Sequence, residues 1–313
     1  MTIDSNTANA LIDAQKEEWP LAGRNFAALD GVRVKEVTLP DGWTVRVQFN
    51  PARIVSSGAK VDAKTIAERP CFLCAANRPA EQRGIAVLDD RYEVLVNPFP
   101  IFPRHLTIPD RSHTLQLIRG RIADMAALTL ALDGYVVFYN GPRCGASAPD
   151  HMHFQAGNAD FLSLPAALED TELESIAETD SAVLALSARL PLRCFVIDAD
   201  TPADAEKMFD RLYAAMPASE GQSEPMMNIL AYATPAGVRI VVIPRKRHRP
   251  SFYGTEGEGT MLISPASVDL GGTFITPLER DFDALDASTV MRVLDELCLS
   301  DSEIRQIASD AAH

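Results

Sequence analysis

The chain has 313 residues with 29 Lys or Arg and 43 Asp or Glu, so its net charge at pH 7 is -14. Apolar residues at 47% and charged residues at 23% are ordinary globular values, which exclude collagen-like, disordered and disulfide-scaffold classes. The negative charge argues against a nucleic-acid partner, and no apolar run approaches the roughly 20 residues of a membrane span. The absence of a secretory pattern and the five scattered cysteines predict a cytoplasmic protein with no membrane partner.

Apolar residues at steps of three and four predict helices, and alternating or β-branched runs predict strands. In the first half these patterns predict an N-terminal helix, a hairpin over 32–49, strands over 92–97, 105–109 and 134–140, a helix from 115 to 128 and a strand over 151–155. The acidic stretch 165–180 is expected to be a solvated linker or insertion. Beyond it we predict strands over 193–197, 227–233 and 238–243, a helix over 201–216 and a closing helix within 280–299.

The two halves share a strand, turn and strand pattern. Pro109 to His113 and Pro244 to His248 have the same spacing, and 244 − 109 gives a separation of 135 residues. We therefore predict an α+β fold that is duplicated in tandem, with an antiparallel sheet in each half and domains at residues 1–164 and 165–313. The second half has no counterpart of the His-x-His pair, so the first half is expected to carry the chemistry.

His151-Met152-His153-Phe154-Gln155 is the most informative segment. In a strand, alternate residues share a face, so His151, His153 and Gln155 would line one side while Met152 and Phe154 enter the core. A neutral imidazole is a good nucleophile toward phosphorus and a good leaving group from it. An amide two residues away can donate to a phosphoryl oxygen. The plain alternative is a pair of satisfied core or surface histidines.

Cys71-Phe72-Leu73-Cys74 has the spacing of half a zinc site. The remaining ligands would be His113 and His151, with His105 as a substitute. A redox pair ranks second because the following residues break early, before a helix could form. Two buried cysteines without any ligand are the third alternative.

Arg245-Lys246-Arg247-His248-Arg249 is a basic run in an acidic protein. Placed after a strand end, it is either a solvated loop or an anion site, with Arg245 and Lys246 as the candidate contacts. Arg143, near the histidines, is the better single candidate for a phosphate contact. Asp150 would orient His151 or cap the turn.

These residues resemble a known family. Gly145-Ala146-Ser147 followed by His151-x-His153-x-Gln155 is similar to the signature of the galactose-1-phosphate uridylyltransferase and diadenosine tetraphosphate phosphorylase branch of the histidine-triad (HIT-like) superfamily. The segment Cys71 to Asn77 resembles the zinc knuckle of the uridylyltransferases. The resemblance covers roughly residues 45 to 300 and is most specific between Cys71 and Gln155.

The resemblance implies a nucleotidyl-transfer enzyme that works by double displacement. By that carry-over His153 attacks the α-phosphorus and Gln155 steadies the phosphoryl oxygens. Further carried-over roles are phosphate contacts by Asn140, Arg143 and Ser147, and a structural zinc ion on Cys71, Cys74, His113 and His151. The family also implies a homodimer. This chain has three residues between Ser147 and His151, one more than its relatives, which bears on the contact made by Ser147.

The leading hypothesis is a phosphorylase or nucleotidylyltransferase that acts on a nucleoside diphosphate sugar or a dinucleoside polyphosphate. The acceptor would be phosphate or a sugar phosphate. The alternative from another class is a non-catalytic, zinc-stabilised nucleotide-binding protein. A hydrolase is the third possibility, but the hydrolytic branch carries a histidine where Gln155 stands.

Overall fold

The computed structural model describes residues 3–54, 63–187, 189–218 and 221–313. The helices are α1 Ser5–Glu18, α2 Pro20–Ala27, α3 Ala63–Glu68, α4 Ile122–Ala131, α5 Leu164–Glu169, α6 Pro202–Ala215, α7 Ser267–Leu270, α8 Glu279–Ala284, α9 Ala287–Leu297 and α10 Asp301–Ala311. The strands are β1 Arg33–Thr38, β2 Thr44–Phe49, β3 Gly84–Val87, β4 Tyr92–Val96, β5 His105–Pro109, β6 Tyr135–Asn140, β7 His153–Asn158, β8 Leu173–Glu178, β9 Ala182–Ser187, β10 Cys194–Ala199, β11 Met227–Thr234, β12 Gly237–Pro244 and β13 Thr273–Thr276. None of the described helices is both long and apolar enough to cross a bilayer.

Ten of the described strands form one antiparallel sheet, in the order β3-β4-β5-β7-β6-β11-β12-β10-β9-β8. The first five and the last five strands repeat one pattern, read inward from each edge, and each half carries a helix (α4 or α6) before its two central strands. The halves meet where β6 pairs with β11, with Asn140 opposite Asn228. The predicted α+β fold with tandem duplication is therefore confirmed.

The predicted correspondence between the halves is wrong in register. Strands β4 and β5 occupy the same places as β9 and β10, whereas β12, which ends at Pro244, takes the place of β7. Pro109 and Pro244 thus end strands that are not equivalent. The strand, turn and strand pattern occurs twice in each half, so spacing alone could not distinguish the two copies.

Alternating residues send the sheet's side chains into two cores. One face packs against α1, α2, α4, α6 and α10, with Ile12, Met125, Phe154, Phe209 and Ile304 among the buried residues. The other face packs against α5, α7, α8, α9 and a three-stranded sheet in the order β1-β2-β13. The central sheet is therefore buried on both faces, which explains its runs of apolar residues.

Three predicted elements are corrected. The central helix begins at Ile122 rather than 115, because the Gln116 side chain is used to bond the carbonyls of Asn140 and His153 and the chain before the helix is irregular. The acidic stretch 165–180 is no linker: it forms most of α5 and the edge strand β8. The predicted strand over 151–155 begins only at His153. The boundary between residues 164 and 165 falls at the start of α5 and stays a prediction.

Candidate active site and metal centre

His153 is the first residue of β7, and its ring is held in one protonation state. Its Nδ1 lies 2.8 Å from the carbonyl oxygen of His151. A carbonyl can only accept a hydrogen bond, so Nδ1 carries the proton and the lone pair is on Nε2. Burial lowers the pKa of His153 to about 4, so the ring is neutral at pH 7. The residue is thus presented as a neutral imidazole with an unprotonated Nε2.

Gln116, which sequence reasoning missed, fixes the backbone around His153. Its Oε1 accepts from the His153 N–H at 2.7 Å, and its Nε2 donates to the carbonyls of His153 and Asn140, each at 3.0 Å. Gln116 is fully buried. It therefore ties the start of β7 to the end of β6 where their ladder stops.

Gln155 shares a face with His153, as the alternation predicts, while Met152 and Phe154 enter the helix-side core. The Gln155 Oε1 lies 3.1 Å from His105 Nε2 and 3.3 Å from Asn97 Nδ2. In the described part of the chain its Nε2 has no protein acceptor. The two N–H groups on that nitrogen are available to an anion.

Cys71, Cys74, His113 and His151 converge, and their ligand atoms all lie within 4.8 Å of one another. His151 Nδ1 is 3.3 Å from Cys71 Sγ and 3.5 Å from Cys74 Sγ, and His113 Nδ1 is 3.2 Å from Cys74 Sγ. Tetrahedral zinc, with Zn–S near 2.3 Å and Zn–N near 2.0 Å, places S and N about 3.5 Å apart. These four residues form the metal group, which could hold a metal ion, and His105 is not part of it.

The orientation of His151 supports this fit. Its Nε2 lies 2.7 Å from the carbonyl oxygen of Asp110, so Nε2 carries the proton and Nδ1 faces the two thiols with its lone pair. Burial raises the pKa of the Cys71 thiol. A cation would favour the thiolate that burial alone disfavours.

Asp150 does neither of the things expected of it, since the Asp110 carbonyl orients His151. The Asp150 carboxylate accepts from Arg69 Nη2 at 3.0 Å and lies 4.0 Å from His113 Nε2. The same Arg69 nitrogen donates to the Ser147 carbonyl at 3.3 Å. Arg69 thus ties the segment before the cysteines to the loop that precedes His151.

The candidate substrate contacts differ in exposure. Arg143, Ser147 and Lys246 are exposed, whereas Asn140 is buried. The Asn140 Oδ1 accepts from Asn228 Nδ2 at 2.8 Å and from the N–H and Oγ of Ser267 at 2.9 and 2.7 Å. Its own Nδ2 has no protein acceptor among the described residues.

Arg245 is buried, with 4% of its surface exposed. Its guanidinium donates to Asn228 Oδ1 and to the carbonyls of Pro265, Arg247 and His248. Asn228 in turn donates to the Cys144 carbonyl at 2.8 Å. Arg245 therefore braces the loop after β6 against the loop after β12, and an anion contact by its side chain stays a prediction.

The described residues form at least two clefts, and His153 lines neither of them. The smaller is lined by Asn25, Asn50, Ala52, Arg53, Phe99 and Pro100. The larger is lined by Ile54, Thr255, Leu262, Leu278, Glu279 and Arg280. The smaller cleft lies on the His105 and Asn97 side of the site. Two of its lining residues show this: the charge of Arg53 lowers the pKa of His105, and the Phe99 N–H donates to Asn97.

Comparison with solved structures supports the fold of this chain. Yeast Ap4A phosphorylase Apa2 superimposes with a TM-score of 0.58 and 18% identity, over 90% of this chain and 94% of that chain. Apa2 in complex with Ap4A gives a TM-score of 0.59 at 18% identity, over 90% and 97% of the two chains. The chain has the fold of Apa2. The likeness extends over both halves, as the resemblance over roughly residues 45 to 300 predicted.

Two family models match the sequence. The domain of unknown function DUF4922 matches residues 11–158, and the GDPGP1-like C-terminal domain matches residues 168–313. Apa2 in complex with AMP superimposes on this chain with a TM-score of 0.59 at 17% identity, over 91% of this chain and 96% of that chain. Comparison with curated proteins finds no match.

Proposed function

We propose that this protein is a nucleotidyl-transfer enzyme that forms a covalent nucleotidyl-His153 intermediate. The observation that carries the proposal is the hydrogen bond from His153 Nδ1 to the His151 carbonyl, because it leaves Nε2 as a neutral nucleophile. The substrate class is a dinucleoside polyphosphate or a nucleoside diphosphate sugar. The fold shared with Apa2, whose structures hold Ap4A and AMP, supports a nucleotide substrate.

The reaction proceeds by two displacements at one phosphorus atom. In the first, the Nε2 lone pair of His153 forms a P–N bond to the α-phosphorus, and the P–O bond to the leaving nucleoside polyphosphate or sugar phosphate breaks with its electron pair. In the second, an oxygen of the acceptor attacks the same phosphorus, and the P–N electrons return to the imidazole. The Nδ1 proton stays on the ring and remains hydrogen-bonded to the His151 carbonyl throughout, which stabilises the cationic ring of the intermediate.

The remaining residues bind charge. The Gln155 Nε2 donates to a non-bridging oxygen of the transferred group, and Asn140 and Arg143 contact the neighbouring phosphates. The phosphate contact of Ser147 is the weakest of these, because Ser147 is exposed and one extra residue separates it from His151. A zinc ion on Cys71, Cys74, His113 and His151 would supply a structural cross-link to the loop before β7.

The experiment is a labelling assay that is quenched under alkaline denaturing conditions. We expect incubation with Ap4A or a nucleoside diphosphate sugar, labelled at the α-phosphate, to leave an acid-labile, alkali-stable label on the wild type. The label is expected to disappear in His153→Ala and to persist in His313→Ala, a histidine at the exposed C-terminus. Release of the label on addition of phosphate identifies a phosphorylase, and release by a sugar 1-phosphate identifies a uridylyltransferase-type enzyme. A wild type that stays unlabelled with every substrate contradicts the proposal.

A further inference from the structure

A glutamine side chain can present either end of its amide to a ligand. Only the nitrogen end donates hydrogen bonds, so a Gln155 that turns its oxygen toward a phosphate would repel the anion it is meant to stabilise. The role proposed above for Gln155 therefore depends on which end of the amide is held by the protein. Two residues decide this: His105 in β5 and Asn97 directly after β4.

The tautomer of His105 is fixed by the main chain. The Ile101 N–H donates to His105 Nδ1 at 3.1 Å, and a backbone N–H cannot accept, so Nδ1 has the lone pair. The ring is buried and lies edge-on to Phe102, with ring centroids 5.1 Å apart. Burial and the charge of Arg53 lower the pKa of His105 to about 3, so the ring is neutral and its proton is on Nε2. That N–H is directed at Gln155 Oε1, 3.1 Å away.

Asn97 is oriented in the same way. Its Oδ1 accepts from the Phe99 N–H at 2.9 Å, which leaves Nδ2 as the donor end. Nδ2 donates to Thr107 Oγ1 at 3.0 Å and to Gln155 Oε1 at 3.3 Å. Two backbone N–H groups, through His105 and Asn97, thus determine that donors converge on one end of Gln155.

We propose that His105 and Asn97 are positioning residues that hold the Gln155 amide with its nitrogen toward the substrate phosphate. A reversed amide would set its NH₂ group against two N–H donors and lose both hydrogen bonds. The register of the sheet brings the group together, since Thr107 pairs with Leu95 on one side and with Gln155 on the other. The inference rests on the proposed function for its effect on rate, but the orientation of the hydrogen bonds can be tested alone.

The first test is a double-mutant cycle on the rate of nucleotidyl-His153 formation from α-labelled Ap4A in a single turnover. The variants are His105→Phe, Gln155→Ala and both together; phenylalanine keeps the packing beside Phe102. We expect His105→Phe to slow labelling about tenfold, the loss of one net hydrogen bond, and to have no further effect when Gln155 is already alanine. His105→Gln, which keeps an N–H near the position of Nε2, is expected to recover most of the rate.

Slowing by the same factor in both backgrounds would overturn the positioning role, because a structural defect does not depend on Gln155. Thermal unfolding of each variant measures that defect separately.

The second test does not need turnover. We expect ¹⁵N NMR of labelled histidine to show the His105 proton on Nε2 and an unprotonated Nδ1 in the wild-type protein. A proton on Nδ1 overturns the inference whatever the activity. A wild type that takes no label overturns the proposed function instead. The His105 tautomer from NMR then tests the orientation of the Gln155 amide independently of turnover.

Discussion

Backbone groups set the chemistry of single side chains in this protein. The carbonyls of His151 and Asp110 and the N–H of Ile101 fix the protonated nitrogen of His153, His151 and His105 respectively. Each ring has one nitrogen committed to the main chain and the other directed at a partner or at the site. The three histidines are therefore distinguished by the backbone rather than by their neighbours in sequence.

A buried carboxyl makes the stability depend on pH. Burial raises the pKa of Glu224 from 4.5 to about 7, although it accepts from Tyr139 Oη at 2.5 Å and from the Ile118 N–H at 2.9 Å. Because the folded-state pKa is the higher one, this group's stabilisation is complete below about pH 4.5 and is lost as pH rises through 7. The shift corresponds to about 3 kcal/mol of the free energy of unfolding.

We expect Glu224→Gln to remove this dependence and to be more stable than the wild type at pH 8. The glutamine can accept from Ile118 and donate to Tyr139, whose hydroxyl proton goes to the Gln116 carbonyl 3.1 Å away. Urea unfolding between pH 5 and pH 8 measures the effect, with the exposed Glu17→Gln as control. If the free energy of unfolding changed with pH equally in the wild type and in Glu224→Gln, the assignment to Glu224 would be wrong.

At the scale of elements, the chain at the start of β7 joins the metal group to His153, the proposed nucleophile, within three residues. His151 and His153 lie on either side of Met152, and the segment 71–74 reaches them from a distant part of the chain. The segment has little helix or strand to hold it, so a bound ion would be its main cross-link.

We expect the purified protein to contain about one zinc ion per chain and Cys74→Ser to lose it, because tetrahedral zinc needs all four ligands. The melting temperature should fall in that variant and in the wild type after chelation. Elemental analysis and thermal unfolding measure both effects. Cys298→Ala removes a cysteine outside the group and should keep the metal; equal metal content in the two variants would contradict the assignment.

The sequence predicts what depends on side-chain type and local spacing. His153 and Gln155 share a face because strands alternate, and the four metal-group residues are of ligand types. Asn97, Gln116 and the Asp110 carbonyl were missed, because they act through sheet register or through the main chain, which leave no signal in residue type. β8 was missed because an exposed edge strand tolerates acidic residues, and its segment therefore resembled a linker.

For the whole molecule, one continuous sheet and one buried polar network join the halves. Asn140, Asn228, Ser267 and Arg245 are hydrogen-bonded to one another across the β6 and β11 pair. Each of the four is buried. We therefore expect the two halves to unfold in one transition.

Asn228→Leu tests this network. The change leaves the Arg245 charge and the Asn140 amide without a shared partner, so we expect the free energy of unfolding to fall by about 3 kcal/mol or more. Chemical denaturation followed by fluorescence and circular dichroism measures it, and both signals should shift together. Asn6→Leu, on the exposed side of α1, should change stability by less than about 0.5 kcal/mol. Separate transitions for the two signals would show that the halves are independent.

The hydrogen bond that prepares His153 comes from the main chain of residue 151, and the ring of residue 151 belongs to the metal group. These two contributions of one residue can change separately in evolution. In a descendant, another residue could replace His151 and end metal binding at this site. The main chain of any residue at that position would still place its carbonyl oxygen beside His153 Nδ1. The proposed metal site could therefore be lost without any change in the proposed reaction.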